Sequence, residues 1–238
     1  MLDRVITALN KAKRVFIGCP AVIADLRPLL PTTMAYKSFD FGLHRGQREL
    51  RNALQHTIFE CSDEAETIIL SYGLCSQGVI GLRASSCPVV VPRVDDCIAL
   101  FLGSRGTYHL GSQKKQGTYY LTNGWIRTGQ TLLEEYQRMA ARYGRKRADK
   151  LQATMFKGYR RLVFVNTGEC DLERCRTYAR QAAEQFGLRY EEIEASNHFV
   201  RRMISGQWDK EFVVVEPGEK ITLEHFLGSS NGKLLKKT

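Results

Sequence analysis

The stretch TIILSYGLCSQGVIGLRASSCPVVVPRVDDC, residues 67–97, decides the fold. It holds two runs, TIIL and VVVP, that are apolar at consecutive positions instead of alternate ones. Strands buried on both faces read this way, and such strands belong to parallel sheets covered by helices. Each run leads into a turn marked by Gly73 or Pro92, and each turn delivers a cysteine, Cys75 or Cys97.

If the sheet is parallel, the flanking sequence must alternate strand and helix. On the N-terminal side, RVFIGC (14–19) reads as a strand, AVIADLRPLL (21–30) as a helix ending near Pro31, and TMAYKSFDFGLH (33–44) as a second strand. RGQRELRNALQHTIFEC (45–61) then sets Leu50, Leu54, Ile58 and Cys61 on one helical stripe. On the C-terminal side, Asp95 and Asp96 can cap a helix CIALFLG that stops at Gly103.

GTYYLTNGWI (117–126) reads as a strand or an ordered loop. Two helices follow, TLLEEYQRMAARYG (131–144) and the basic RKRADKLQATMFKG (145–158). Alternation then restarts with strands at RRLVFVNTGE, LRYEEIEAS and EFVVVEPG, separated by helices at DLERCRTYARQAAEQFG and HFVRRMISGQW. The expected fold is α/β, with mainly parallel sheets and flanking helices in two Rossmann-like lobes. Residues 1–127 form the first lobe with the cysteine site, 128–158 connecting helices, 159–228 the second lobe and 229–238 a disordered polar tail.

Composition narrows the class. Of 238 residues, 43% are hydrophobic and 25% charged, close to the average for soluble proteins, and no apolar run reaches the roughly 20 residues of a membrane-spanning helix. The start, MLDRVITALNKAKRVF, lacks the continuous apolar segment of a secretory signal, so a cytoplasmic location is expected, with no membrane partner. Seven cysteines, an odd number, argue for reduced thiols in place of a disulfide framework. The net charge of +10 is concentrated at Arg142, Arg145, Lys146, Arg147 and Lys150 and in the lysine-rich tail. Such a cluster reads as a solvated helix face. No aromatic-interleaved RNA motif or finger spacing accompanies it, so nucleic acid is not expected as a partner.

Ligands of an open parallel sheet bind outside the carboxyl ends of its strands. Cys19 closes the first expected strand, His44 the second and Cys75 the third, while Cys97 follows the fourth. Three thiolates and an imidazole form a tetrahedral zinc set, and three cysteines can also hold an iron–sulfur cluster. Arg93, Asp95, Asp96 and Tyr72 lie in the same turns and are candidates for a small anionic ligand. In the second lobe, Thr167 and Gly168 of NTGE sit between a strand and a helix, where backbone amides cradle phosphates or carboxylates. Cys61 and Cys175, on apolar helix stripes, read as core. Hydrolase, kinase and dinucleotide signatures are missing, so no catalytic residue is assigned.

The motifs SYGLCSQGVIGLR, PRVDDCIALFLGS, GTYYLTNGW and GQWDKEFVVVEPG make the chain resemble a family catalogued only as a domain of unknown function. That family is common in anaerobic bacteria and methanogenic archaea and is often encoded beside corrinoid-dependent methyltransferases. The resemblance implies functional cysteines at Cys19, Cys75 and Cys97 and a histidine at His44, although RGQ after His44 departs from the family's Asn-His-Pro-like run. It also implies a role in one-carbon metabolism, as a methyltransferase or a redox accessory of one, with a small molecule or a corrinoid protein as partner. The alternative is a non-catalytic module that grips a small anion between two lobes.

Overall fold

The apolar runs of the opening stretch lie at the middle of a five-stranded sheet. β1 (Arg14–Gly18), β3 (Thr67–Leu70) and β4 (Val89–Pro92) run parallel and adjacent, and β2 (Ala35–Ser38) pairs in parallel with the other side of β1. The fifth strand, β8 (Phe212–Val215), closes the sheet antiparallel to β4, giving the order β2-β1-β3-β4-β8. A second sheet is parallel throughout, with β6 (Arg161–Asn166) between β5 (Thr118–Thr122) and β7 (Arg189–Glu194). The computed structural model describes residues 14–39, 46–74, 77–103, 117–129, 131–168 and 171–227.

Burial follows the sequence pattern. Phe16, Ile17, Ile68, Ile69, Leu70 and Val89–Val91 are fully buried, as continuous apolar strands between two helix layers must be. α2 (Gln47–Ser62) buries the expected stripe of Leu50, Leu54, Ile58 and Cys61. α1 (Pro20–Leu26) starts with Pro20 in its first turn and ends sooner than the sequence reading. Pro28 cannot donate to the helical ladder, and Arg27–Leu29 tighten into a 3₁₀ turn. α3 (Cys97–Phe101) opens as expected, with Asp96 Oδ1 accepting from the amides of Ile98 at 2.9 Å and Ala99 at 3.3 Å.

The two sheets are not consecutive blocks of sequence. β5 falls within 1–127 yet pairs with β6, and β8 falls within 159–228 yet returns to β4. Periodicity reports that a segment is a strand but not which neighbour it joins. Between β5 and β6 run α4 (Asn123–Arg127), α5 (Leu132–Tyr143) and α6 (Arg145–Met155). α7 (Leu172–Gln185) links β6 to β7, α8 (His198–Ser205) precedes β8, and α9 (Glu224–Leu227) follows it.

One apolar core runs through the first sheet and on to Val163 and Val165 of β6 and Phe199, Val200 and Met203 of α8. The opposite face of β6, Leu162 and Phe164, packs with Cys175, Ala179 and Ala182 of α7 in a second cluster. The alternation of side chains along one strand thus serves two cores.

Candidate functional site

Strand order defines where a ligand can enter. The chain places β2 on one side of β1 and then β3 and β4 on the other, so the winding reverses between β1 and β3. Crossover connections leave the sheet in opposite directions at such a point, opening a crevice beyond the carboxyl ends of those two strands. The loops above it are tightly laid. Ser71 N donates to Ile17 O at 2.8 Å, and Leu74 N donates to Val94 O at 2.9 Å. A Cβ on Gly73 would stand 2.5 Å from Val94 O, so this approach admits only glycine.

Cys19 lies at this edge and is buried, with its Sγ accepting from Val22 N at 3.4 Å as the cap of α1. Burial pushes its thiol up to about 11, against the pull of the Val22 amide. Cys97 is half-buried at the first position of α3, beyond β4. His44 and Cys75 lie outside the described residues. Among the described residues no three His, Cys, Asp or Glu side chains form a metal-binding group. Cys61, Cys87 and Cys175 are buried free thiols, as packing residues are.

The remaining expected ligands divide between two places. Tyr72 is buried beside the β3 loop, and Arg93, Asp95 and Asp96 are half-buried beyond β4. Arg93 N donates to Glu211 O at 2.8 Å, while its buried Nε has no hydrogen-bond partner among the described residues. Across the crevice, the face of the second sheet presents Tyr120, Arg161 and Glu191. Arg161 is buried, pairs with Glu191 at 3.1 Å and donates from Nε to Thr118 Oγ1 at 2.7 Å. Tyr120 is pushed up by burial, pulled down by Arg161 and pushed again by Asp96, so the cap of α3 and this tyrosine share one electrostatic neighbourhood.

Thr167 and Gly168 are not at that edge. Their loop forms part of a buried junction built on Asp25, a residue that the sequence reading passed over. Asp25 Oδ1 accepts from Gly124 N at 2.6 Å and Thr167 Oγ1 at 2.7 Å, and Oδ2 accepts from Thr122 Oγ1 at 2.6 Å. Asn123 Oδ1 accepts from Thr167 N at 3.0 Å, and Gly168 N donates to Asn166 Oδ1 at 3.0 Å. The amide and hydroxyl of Thr167 and the amide of Gly168 are therefore bonded within the protein. Burial pushes the Asp25 carboxyl up to about 6, despite three donors that favour its charged form. A signal did exist: within AVIADL, Asp25 falls at helical spacing from Ala21 and Val22, on the side that must be buried.

The architecture is thus a two-sheet α/β protein whose first sheet has a switch point between β1 and β3, with Cys19 following β1 and Cys97 opening the helix beyond β4. Residues 38–204 match a family model described as a protein of unknown function (DUF1638), and the chain belongs to that family. The matched span includes His44, Cys75, Cys97, Asn123 and Thr167 and begins after Cys19 and Asp25. No curated protein and no solved structure matches the chain. Among the described residues, no helix is long and apolar enough to cross a membrane.

Proposed function

We propose that the protein binds a metal through Cys19, Cys75 and Cys97, with His44 as fourth ligand, and serves one-carbon metabolism in the cytoplasm as an enzyme or accessory. One observation carries this reading: the strands β1, β3 and β4 are parallel and adjacent, and in the sequence each is followed by one of these cysteines. Neighbouring strands lie about 4.8 Å apart, so the outer two of the three are separated by about 10 Å, a gap within the reach of loops and side chains. The donor set fits zinc or an iron–sulfur cluster, since thiolates suit both and the Val22 amide already points at the Cys19 sulfur. A zinc ion there would supply Lewis acidity to a substrate thiol, and a cluster would supply an electron. Cys19 must give up its proton on binding, because the thiolate is the ligand. The likeness to a family encoded beside corrinoid-dependent methyltransferases supports methyl transfer and a corrinoid-protein partner.

Anaerobic purification followed by metal analysis tests the site. The expected content is about one equivalent of zinc, or iron with matching sulfide, falling below about a tenth in Cys75→Ser and Cys97→Ser. Wild-type protein that stays below that level after reconstitution would remove the proposal.

The buried, unpartnered Arg93 Nε favours a second reading, a module holding a small anion in the same crevice. Under that reading Arg93→Ala weakens binding of phosphate or a dicarboxylate, whereas the two cysteine variants do not. Calorimetry showing the opposite order discards it.

A further inference from the structure

α5 and α6 form a hairpin that the other described residues leave largely uncovered. No residue of α5 is buried, although Leu132, Tyr136, Met139 and Tyr143 recur along one face, and α6 buries only Ala148. Tyr143, Leu151 and Met155 are 48%, 42% and 47% exposed. The base of the hairpin is well fixed. Phe156 stacks on Phe186 with ring centres 4.4 Å apart, Gln152 Nε2 donates to Gln185 O at 3.1 Å, and Thr131 bonds Tyr178. Between the two helices lies a shallow open groove lined by Leu132, Tyr136, Met139, Met155, Phe156 and Phe186. Gln152 and one carboxylate, Glu135, complete its walls.

Charge sets the hairpin apart from the rest of the molecule. Several arginines elsewhere are paired with carboxylates: Arg161 with Glu191, Arg176 with Glu192 and Glu173, Arg202 with Asp209 and Glu211. Residues 132–157 carry seven Lys and Arg against three Asp and Glu. Arg138, Arg145, Lys146 and Lys150 are exposed and form no ion pair among the described residues, while Arg142 and Arg147 flank Tyr143 at 5.2 and 5.5 Å. Asp149, the acidic residue of α6, accepts from Tyr136 at 2.7 Å. The hairpin thus combines a net positive charge with exposed apolar side chains.

We propose that this groove docks an acidic amphipathic helix of a partner protein, with apolar anchors entering between α5 and α6 and carboxylates meeting the surrounding arginines and lysines. A helix in a groove is read by anchors at i, i+3, i+4 and i+7, and flexible methionines such as Met139 and Met155 adapt to them. Charge complementarity rules out closer candidates. The chain's own ends, MLDRVITALNKAK and SSNGKLLKKT, are basic, and a second copy would bring +10 against +10. A concave apolar channel also suits side chains better than phosphates, and Tyr143, held between two arginines, is not free to stack on a base.

The test uses the full chain and four probes: a labelled helical peptide with a leucine stripe flanked by glutamates, its scrambled isomer, a single-stranded RNA and phosphatidylglycerol vesicles. The striped peptide is expected to bind at least about tenfold tighter than the scramble and to weaken with salt. Arg145→Glu/Arg147→Glu should cost about tenfold for the acidic peptide and improve binding of its lysine-flanked counterpart. Met155→Glu should weaken the striped peptide and leave the scramble unchanged. All three positions are exposed, so unchanged thermal midpoints will confirm folding. Equal binding of stripe and scramble, indifference to either variant, or tighter binding of RNA or vesicles would each overturn the proposal.

Discussion

A single carboxylate, Asp25, ties the first helix to the ends of two strands of the other sheet. Three donors converge on it, so Asp25→Ala strands a backbone amide and two hydroxyls in a dry site; the expected loss is about 2–4 kcal/mol, read as a lower urea midpoint. Its carboxyl sits at about 6 instead of the ordinary 3.8, so the folded protein keeps a proton that the unfolded chain has released. Stability from this residue is therefore full below pH about 4 and falls as pH rises towards 6. A rise of that size corresponds to about 3 kcal/mol. Asp25→Asn should remove the slope, and the difference between wild type and variant over pH 4–7 isolates it from carboxylates such as Glu192, whose Arg176 partner holds it low. The burial of Asp25 was signalled by its spacing within AVIADL, but its partners were not legible, because Thr122 and Thr167 stand 97 and 142 residues away from it along the chain. The positions of Cys19 and Cys97 were legible, since Cys19 directly follows the apolar run of β1 and Cys97 follows the Asp96 cap that starts α3.

At the scale of elements, α1 and α4 approach so closely that one residue type fits between them. A Cβ at Gly124 would lie 2.0 Å from Ala21 O and 2.6 Å from Asp25 Oδ2. The first of these is backbone and cannot swing aside. Gly124→Ala is expected to cost about 3 kcal/mol, measured by thermal unfolding, and to exceed the cost of Asp25→Asn at pH 5. Strands and helices were readable from periodicity, including the capped start of α3 and the stripe of α2. Strand partners were not. β5 and β8 have the apolar character of any sheet strand, and their choice of β6 and β4 depends on packing far from either in sequence.

At the scale of the molecule, both sheets share apolar neighbours: Val163 and Val165 of β6 lie in the cluster that holds Phe16, Ile69 and Val90. Two sheets with a common core should melt together. The two tryptophans allow a direct check, because Trp125 opens the second sheet's α4 and Trp208 lies 5.7 Å from Arg14 of β1. Trp125→Phe and Trp208→Phe proteins, each reporting one region by fluorescence, should unfold at denaturant midpoints that differ only by the cost of the substitution, with m-values that agree. The return of β8 to β4 has a further consequence, for synthesis on the ribosome. Everything from β5 to β7 is translated between the two halves of the first sheet, so a nascent chain that has made the second sheet still carries β4 with one edge bare. Val89, Val90 and Val91 stay open to chaperones, or to other nascent chains, until residues 212–215 leave the exit tunnel and seal that edge.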